Sequence, residues 1–307
     1  MNPLRGIAFK MLSVCTFVCM ASLIKATAAD VPPGQAVFFR SIFALPVIVV
    51  WLAATGHLHD GIKTENPMGH FWRGIVGTMG MGFGFAGLGL LPLPEVTAIG
   101  YAAPLLVVVF AAMFLNERVR AFRLTAVFLG LVGVVIVLSP RLSVSAAMDV
   151  RETLGAVVVL MGAACAALAH VFIRKLTATE RTSAIVFWFA ITSTTLSLLT
   201  IPFGWVWPAW GTFGLLVLAG LIGGLGQIFL TSSYRYADAS MLAPFDYTSM
   251  ILAVLIGWFV FSEAPTMTTI IGSAVVICAG VLIIWRERQL GLERAAQRQA
   301  MGNVAGK

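Results

Sequence analysis

Long apolar runs separated by short polar stretches dominate the chain. A helix needs about 20 apolar residues to cross about 30 Å of hydrocarbon, and ten runs near that length occur in the sequence. They cover residues 6–26, 34–54, 72–91, 95–115, 123–139, 154–173, 184–202, 212–233, 240–261 and 267–285. The pattern predicts an all-α membrane protein with ten transmembrane helices.

Composition supports a lipid environment. Of the 307 residues, 59% are hydrophobic and 11% are charged, and the mean hydropathy is +0.95. A soluble domain usually carries about 25% charged residues, and it cannot hide so much apolar surface in one core. The lipid bilayer is therefore the expected surrounding of most of the chain.

One glycine-rich stretch imitates a nucleotide-binding motif. Residues Gly82–Gly87 match G-x-G-x-x-G, but that fingerprint needs a preceding strand and an acidic residue about 20 positions later. The stretch lies instead inside an apolar run. Gly80 and Gly84 form a G-x-x-x-G pair, which favours close approach of two transmembrane helices.

Charge asymmetry predicts the orientation. With a cytoplasmic N-terminus, the inner side receives fifteen Lys and Arg residues and the outer side receives three. This positive-inside bias places both termini, including a basic tail over 287–307, in the cytoplasm. The net charge of +7 then reflects orientation in the membrane, and no nucleic-acid partner is predicted. The N-terminus also resembles a secretory signal, although Lys25 directly before its small-residue site argues against cleavage.

An internal repeat divides the chain. Gly74–Gly80 recurs as Gly220–Gly226, displaced by 220 − 74 = 146 residues, and the same shift superposes Tyr101 on Tyr247. The repeat predicts two copies of a five-helix unit, over 1–140 and 150–286. Because a unit with an odd number of crossings inserts its copy upside down, the two copies form inverted repeats, an architecture typical of secondary transporters.

Charged residues inside apolar runs are the first candidates for function, because each costs about 2.5–3.5 kcal/mol to insert. Asp246 is interpreted as a proton or cation site or as an acceptor for substrate; the alternative is a structural partner of Lys10 or of a loop arginine. His170 is a candidate proton relay or a helix-end histidine. Arg40 is a candidate for binding an anionic group or for pairing with Glu95, which is itself a proton-coupling candidate.

Further candidates are uncharged. Gln227 has an amide suited to reading a heterocycle edge or to joining helices. Aromatic side chains at Trp188, Tyr247 and Tyr101 are candidate substrate contacts. No metal or other cofactor site is predicted: the four cysteines lie in apolar runs, and the histidines near residue 57 are interpreted as an ordinary polar loop.

The sequence contains no G-x-S-x-G, H-E-x-x-H or Walker lysine motif, so no catalytic residues are predicted. Because inverted repeats are typical of secondary transporters, the expected function is transport of a small molecule. An intramembrane enzyme and a structural subunit of a larger complex are the alternatives from other classes. Neither a monomer nor a homodimer is excluded.

The sequence resembles the EamA branch of the drug/metabolite transporter superfamily. The resemblance rests on "LPLPEVTAIGYAAPL" (Leu91–Leu105), "LNERVRAFR", "GLVGVVIVLSP", "YRYADASMLAPFDY" and "FSEAP". It implies two five-helix repeats around a central cavity, with Gln227, Asp246, Tyr247 and Trp188 as lining residues. The second copy has Phe189 where the first has Arg40.

Residues Gly6–Thr27 and Val31–Pro46 are similar to the subgroup that includes bacterial riboflavin uptake proteins and S-adenosylmethionine permeases. The resemblance implies a bacterial inner-membrane carrier, with riboflavin as the first substrate to test. An S-adenosylmethionine permease and an exporter of amino acids or drugs are the alternatives.

Overall fold

The protein folds as an assembly of helices. A computed structural model describes residues 3–58, 60–115, 121–142, 150–236, 242–282, 285–286 and 289. The helices are α1 (Pro3–Thr27), α2 (Pro33–Ile42), α3 (Ala44–Ala54), α4 (Pro67–Leu90), α5 (Leu93–Gly100), α6 (Ala102–Leu115), α7 (Ala121–Leu142), α8 (Val150–Leu176), α9 (Thr182–Ser197), α10 (Trp210–Tyr236), α11 (Thr248–Phe261) and α12 (Met267–Leu282), with 3-10 helices η1 (Leu198–Phe203) and η2 (Ala243–Tyr247). The all-α prediction is confirmed for these ranges.

Among the described residues, six helical stretches are long and apolar enough to cross a membrane by themselves: Leu4–Thr27, Pro33–Ala54, Leu93–Phe110, Val150–Leu176, Thr182–Phe203 and Trp210–Tyr236. Three shorter apolar helices cover Val127–Ser139, Phe245–Phe261 and Met267–Leu282. The protein is therefore a multi-pass membrane protein. The predicted tail over 287–307 lies outside the described residues apart from Gln289.

Prolines break three of the predicted apolar runs. Proline has no N–H and clashes with the carbonyl four residues earlier. Pro46 lies four residues after Ile42, where α2 ends, and Pro104 lies four residues after Gly100, where α5 ends. Pro202 lies four residues after Leu198, where α9 changes to the 3-10 helix η1. The hydrophobic pattern predicts continuous helices at these places, and the structure corrects it.

Glycines set the closest helix crossings. A Cβ atom on Gly80 would lie 3.1 Å from the Ala166 backbone nitrogen, and one on Gly162 would lie 3.2 Å from the Gly84 nitrogen. Gly80 of the predicted pair thus lies at the α4–α8 crossing, whereas a Cβ atom on Gly84 would meet nothing within 4 Å. At a second crossing, between α7 and α12, a Cβ on Gly272 would lie 2.6 Å from the Gly133 carbonyl oxygen. Both crossings need residues without side chains.

The two copies of the repeat exchange partners. The helix α1 packs along α10, and α4 packs along α8. Under the repeat, α1 corresponds to α8 and α4 corresponds to α10, so the same pairing occurs twice, each time between the first half (residues 3–142) and the second half (residues 150–282). The halves therefore share one interface, and a site between them draws on both.

The carboxylate of Glu180 ties two connecting segments together. The loop between α8 and α9 places Glu180, which is 4% exposed, beside the start of α4. Its Oε1 accepts hydrogen bonds from Thr64 Oγ1 and from the N–H groups of Glu65 and Asn66, each at 2.8 Å. Burial by itself raises the pKa of Glu180, but these hydrogen bonds outweigh it and hold the pKa below the usual value for glutamate.

Replacing Glu180 with glutamine will lower the thermal stability of the protein, because the three donors lose a charged acceptor; the cost is roughly 2–3 kcal/mol. A lowered folded-state pKa stabilises the protein above the unfolded pKa, near 4.3, and this stabilisation is lost as the pH falls through the folded pKa. The difference in Tm between wild type and Glu180→Gln will therefore be constant at neutral pH and will narrow in acid.

Thermal melts of the detergent-purified protein across this pH range measure the difference. The matched control is Glu65→Gln, because Glu65 is exposed and contributes its backbone N–H to the cluster rather than its carboxylate. Equal effects of the two variants on Tm contradict the stabilising role of the Glu180 carboxylate. A difference in Tm between wild type and Glu180→Gln that stays constant in acid also contradicts it.

Candidate functional site

A cavity of about 260 Å³ lies between the two halves. The first half contributes α1 and α5, and the second contributes α8, α10, η2 and α11. The lining residues are Lys10, Ser13, Val14, Phe17, Val18, Ala21, Leu93, Thr97, His170, Leu230, Asp246 and Ser249. Most of the wall is apolar, while a few polar groups project into it, as in sites for small organic molecules.

An ion pair crosses the cavity from one half to the other. Lys10 Nζ lies 2.7 Å from Asp246 Oδ1, and the two side chains are 3% and 35% exposed. The ammonium also lies 5.7 Å from the centre of the Tyr234 ring. The structure thus confirms the interpretation of Asp246 as a partner of Lys10. Because Asp246 is partly exposed to the cavity, its carboxylate is also accessible to a ligand.

The two tyrosines related by the repeat meet beside this ion pair. Their rings lie 5.2 Å apart, and the hydroxyl of Tyr101 donates to the carbonyl of Tyr247 over 3.2 Å. Tyr101 lies at the break between α5 and α6, and Tyr247 lies between η2 and α11. Ser249, which lines the cavity, is 3.0 Å from the Tyr101 hydroxyl. Two interrupted helices therefore meet at the cavity wall, and both tyrosine rings are buried behind it.

A second ion pair joins the halves at the end of the bundle where α1 ends. Lys25 Nζ lies 2.9 Å from Glu263 Oε1 and donates to the carbonyls of Leu88 and Leu91. The other oxygen of Glu263 accepts from the N–H of Leu93 over 2.9 Å. Ser262, at φ +57°, ends α11 with a left-handed turn that directs Glu263 toward α5.

The other predicted site residues occupy different surroundings. His170 lines the cavity, and its Nδ1 has no hydrogen-bond partner among the described residues. Trp188 donates from Nε1 to the carbonyl of Ile62, so it anchors the loop between α3 and α4. Glu95 is buried near the start of α5. Their roles in binding or proton coupling stay predictions.

Two buried guanidinium groups flank a single aromatic ring. The Cζ atom of Arg40 lies 5.7 Å from the centre of the Phe189 ring, and that of Arg73 lies 3.5 Å from it. Arg40 also donates from Nη2 to the carbonyl of Gly223 over 3.2 Å. Phe189, which replaces Arg40 in the second copy, therefore contacts the residue that it replaces.

Sequence reasoning missed Arg73 by counting it with the charges of the inner loops. The structure places it inside α4, with 3% of its surface exposed. The available signal was its position, because residue 73 falls within the apolar run that begins at residue 72. Gln227 lies one helical turn beyond Gly223 on α10, and its Nε2 has no hydrogen-bond partner in the described part of the chain.

Comparison with known proteins identifies the family. The model of the EamA-like transporter family matches residues 4–139 and again residues 153–286, which together make up most of the chain. The chain belongs to the EamA-like transporter family. A solved crystal structure shares this EamA-like fold with a TM-score of 0.68 at 20% sequence identity, covering 94% of this chain and 99% of that one.

Three relatives of this EamA-like chain are named for different substrates. A pseudopaline exporter of Pseudomonas aeruginosa is 29% identical, covering 91% of this chain and 95% of the relative. A riboflavin transporter of Rhizobium johnstonii is 30% identical, with coverage of 92% and 89%. An S-adenosylmethionine uptake transporter of Rickettsia prowazekii is 25% identical, with coverage of 93% and 94%. Family and relatives thus indicate a bacterial membrane transporter rather than an enzyme.

Proposed function

We propose that the protein is a secondary transporter that moves a small organic metabolite by alternating access. The observation that carries the proposal is the cavity between the halves, which is lined by α1 and α5 of the first half and by α8, α10, η2 and α11 of the second. Ion pairs between the same two halves lie at Lys10–Asp246 and at Lys25–Glu263. Movement of one half against the other would open the cavity to either side in turn.

Ten membrane crossings, arranged as two inverted repeats of five helices, form the second part of the proposal. The repeated exchange of partners, α1 with α10 and α4 with α8, supports it, as does the contact between Tyr101 and Tyr247. With both termini in the cytoplasm of a bacterial inner membrane, Lys10–Asp246 lies toward the inner side and Lys25–Glu263 toward the outer side. Opening to one side requires breaking the ion pair there.

Topology can be tested by labelling. Cysteines placed singly at residues 2 and 306 of a cysteine-free variant will react with a membrane-impermeant thiol reagent only after the cells are opened. A C-terminus that reacts from outside, with the N-terminus protected, contradicts an even number of crossings and the inverted repeat with it.

Riboflavin is the first substrate that we propose, with uptake as the direction. The resemblance of Gly6–Thr27 and Val31–Pro46 to a subgroup that includes riboflavin uptake proteins supports this choice, and so does the relative named a riboflavin transporter. S-adenosylmethionine and pseudopaline-like compounds are the alternative substrates, because relatives of similar sequence identity are named for them. Amino acids and drugs are the remaining candidate substrates to be tested.

Purified protein reconstituted in liposomes will take up labelled riboflavin in a saturable manner. Uptake is compared with empty liposomes, with unlabelled S-adenosylmethionine and amino acids as competitors, and with a proton gradient present or collapsed. If riboflavin is not taken up and another compound is, that compound replaces riboflavin as the proposed substrate. A lack of uptake for every compound, in either direction of loading, contradicts the transporter assignment.

A further inference from the structure

Arg40 and Arg73 are buried cations without acidic partners in the part of the chain that the structure describes. They are 2% and 3% exposed, and neither forms an ion pair with any described carboxylate. Nε of Arg40, together with Nε and Nη1 of Arg73, donates no hydrogen bond within the described residues. Arginine stays charged in proteins and carries five N–H donors, so several strong donors here are unused.

The two guanidinium groups also act on each other. Their Cζ atoms lie 5.7 Å and 3.5 Å from the centre of the same Phe189 ring, so two like charges share one aromatic contact and repel each other. A cation over an aromatic face gains about 0.5–2 kcal/mol, whereas an uncompensated buried charge costs several kcal/mol. Phe189 therefore offsets only part of the cost.

Glycines make room for both arginines. A Cβ atom on Gly77 would lie 2.6 Å from Arg73 Nη1, and one on Gly223 would lie 3.0 Å from Arg40 Nε. Gly77 and Gly223 occupy equivalent positions in the two copies, since 223 − 77 = 146. The two helices α4 and α10 thus each leave space for a guanidinium at the interface between the halves.

This pair lies near the cavity. Both border α1: a Cβ atom on Gly223 would lie 2.7 Å from Met20 Sδ and 3.0 Å from Arg40 Nε, and Val18 and Ala21 of the same helix line the cavity. The cavity wall and the surroundings of Arg40 therefore share one turn of α1. An anionic ligand would supply the negative charge and the hydrogen-bond acceptors that the two arginines lack, because carboxylates and phosphates accept paired hydrogen bonds from guanidinium groups.

We propose that Arg40 and Arg73, both against Phe189, form a subsite that binds the carboxylate or phosphate group of the transported metabolite. The proposal rests on the transport function proposed above. It favours a compound with an anionic group over riboflavin itself, which has neither a carboxylate nor a phosphate. In the ligand-free protein the two uncompensated charges cost stability, and a bound anion removes part of that cost.

Thermal unfolding of the detergent-purified full chain tests the subsite without knowledge of the substrate. The probes are inorganic phosphate and citrate, each titrated at constant ionic strength against chloride. The Tm of the wild type will rise and saturate with at least one probe, and Arg73→Gln and Arg40→Gln will raise the half-saturating concentration by about tenfold or more. Arg73→Lys will restore part of the response, because the charge returns without the paired donors.

The control is Arg151→Gln, an exposed arginine away from the pair, which will keep the wild-type response. Without anions, Arg73→Gln will melt at or above the wild-type temperature, because it removes an unpaired buried charge. An arginine with a purely structural role would do the opposite, so a clear loss of ligand-free stability overturns the proposal. An anion response that is absent in wild type, or equal in wild type and Arg73→Gln, also overturns it.

Competition experiments then show whether the subsite binds a phosphate or a carboxylate. They measure how well unlabelled compounds inhibit uptake of the labelled compound that the liposomes take up. Riboflavin and riboflavin 5′-phosphate differ only in the phosphate, while 5′-methylthioadenosine and S-adenosylhomocysteine share an adenosine thioether and differ in the amino acid arm. In one of the two pairs, the compound that carries the phosphate or the carboxylate will compete at least about tenfold better than its partner in the wild type. This advantage will vanish in Arg73→Gln. Transport with equal competition within both pairs overturns the subsite alone. Saturable anion binding with no transport of any compound contradicts the transporter assignment alone.

Discussion

Replacing Asp246 with asparagine will lower transport by at least about tenfold and will also lower the Tm of the protein. The ammonium of Lys10, with 3% of its side chain exposed, then loses the carboxylate at 2.7 Å. Removing one member of a fully buried pair costs about 3–5 kcal/mol, because the other charge is left uncompensated; the loss here is smaller, because Asp246 is 35% exposed and solvent screens the pair. Uptake into liposomes and thermal melts measure the two effects.

The double variant Lys10→Gln with Asp246→Asn separates structure from mechanism. Because it removes both charges, we expect it to recover most of the lost thermal stability, whereas transport will stay low if the carboxylate acts on substrate or on protons. Asp60→Asn is the matched control, since the Asp60–Lys63 pair is exposed on both sides and contributes little. Full transport in the double variant would reduce the role of Asp246 to structure, and normal transport in Asp246→Asn would remove it from the mechanism.

Adding a single methyl group at Gly272 will destabilise the protein by about 3 kcal/mol, at the upper end of the range for overpacking. The new Cβ would lie 2.6 Å from the Gly133 carbonyl oxygen and 2.9 Å from the Val137 nitrogen. These are backbone atoms, so α7 and α12 must separate along the contact. Thermal melts and the yield of monodisperse protein after detergent extraction measure the loss.

Gly82→Ala is the control for this substitution. The space around Gly82 holds no other atom within 4 Å of the new Cβ, and alanine favours a helix over glycine by up to about 1 kcal/mol. This variant will therefore match or exceed the wild-type Tm. A Gly272→Ala protein that melts like the wild type would mean that the two helices do not cross closely at this residue.

Several site features were readable in the sequence because they depend on residue type and spacing. The ion pair between Lys10 and Asp246 was one of two interpretations of a charged residue in an apolar run. The repeat placed Tyr101 and Tyr247 in equivalent positions, and a symmetric interface then brings them together. The breaks at Pro46 and Pro104 were visible as prolines, but uninterrupted hydrophobicity around them suggested continuous helices.

Other features depend on which helix faces meet. The sequence counted Arg73 with the charges of the inner side and gave Arg40 no neighbour other than Glu95, whereas packing of α2, α4 and α9 brings both arginines to Phe189. Likewise, Lys25 and Glu263 are far apart in the chain and pair only because α1 ends beside the turn between α11 and α12. Trp188 was predicted to line the cavity; its Nε1 donates to the Ile62 carbonyl, and its role in binding stays a prediction.

By itself, the sequence determined that the protein lies in a membrane, that it is all helical and that it consists of two related halves. These properties follow from composition and from local or repeated patterns, which need no knowledge of neighbours. Only the tertiary structure decided which side chains surround the cavity. In lipid, the outer and inner faces of a helix are both apolar, so hydrophobicity does not reveal the rotation of each helix, and close packing through glycines determines it.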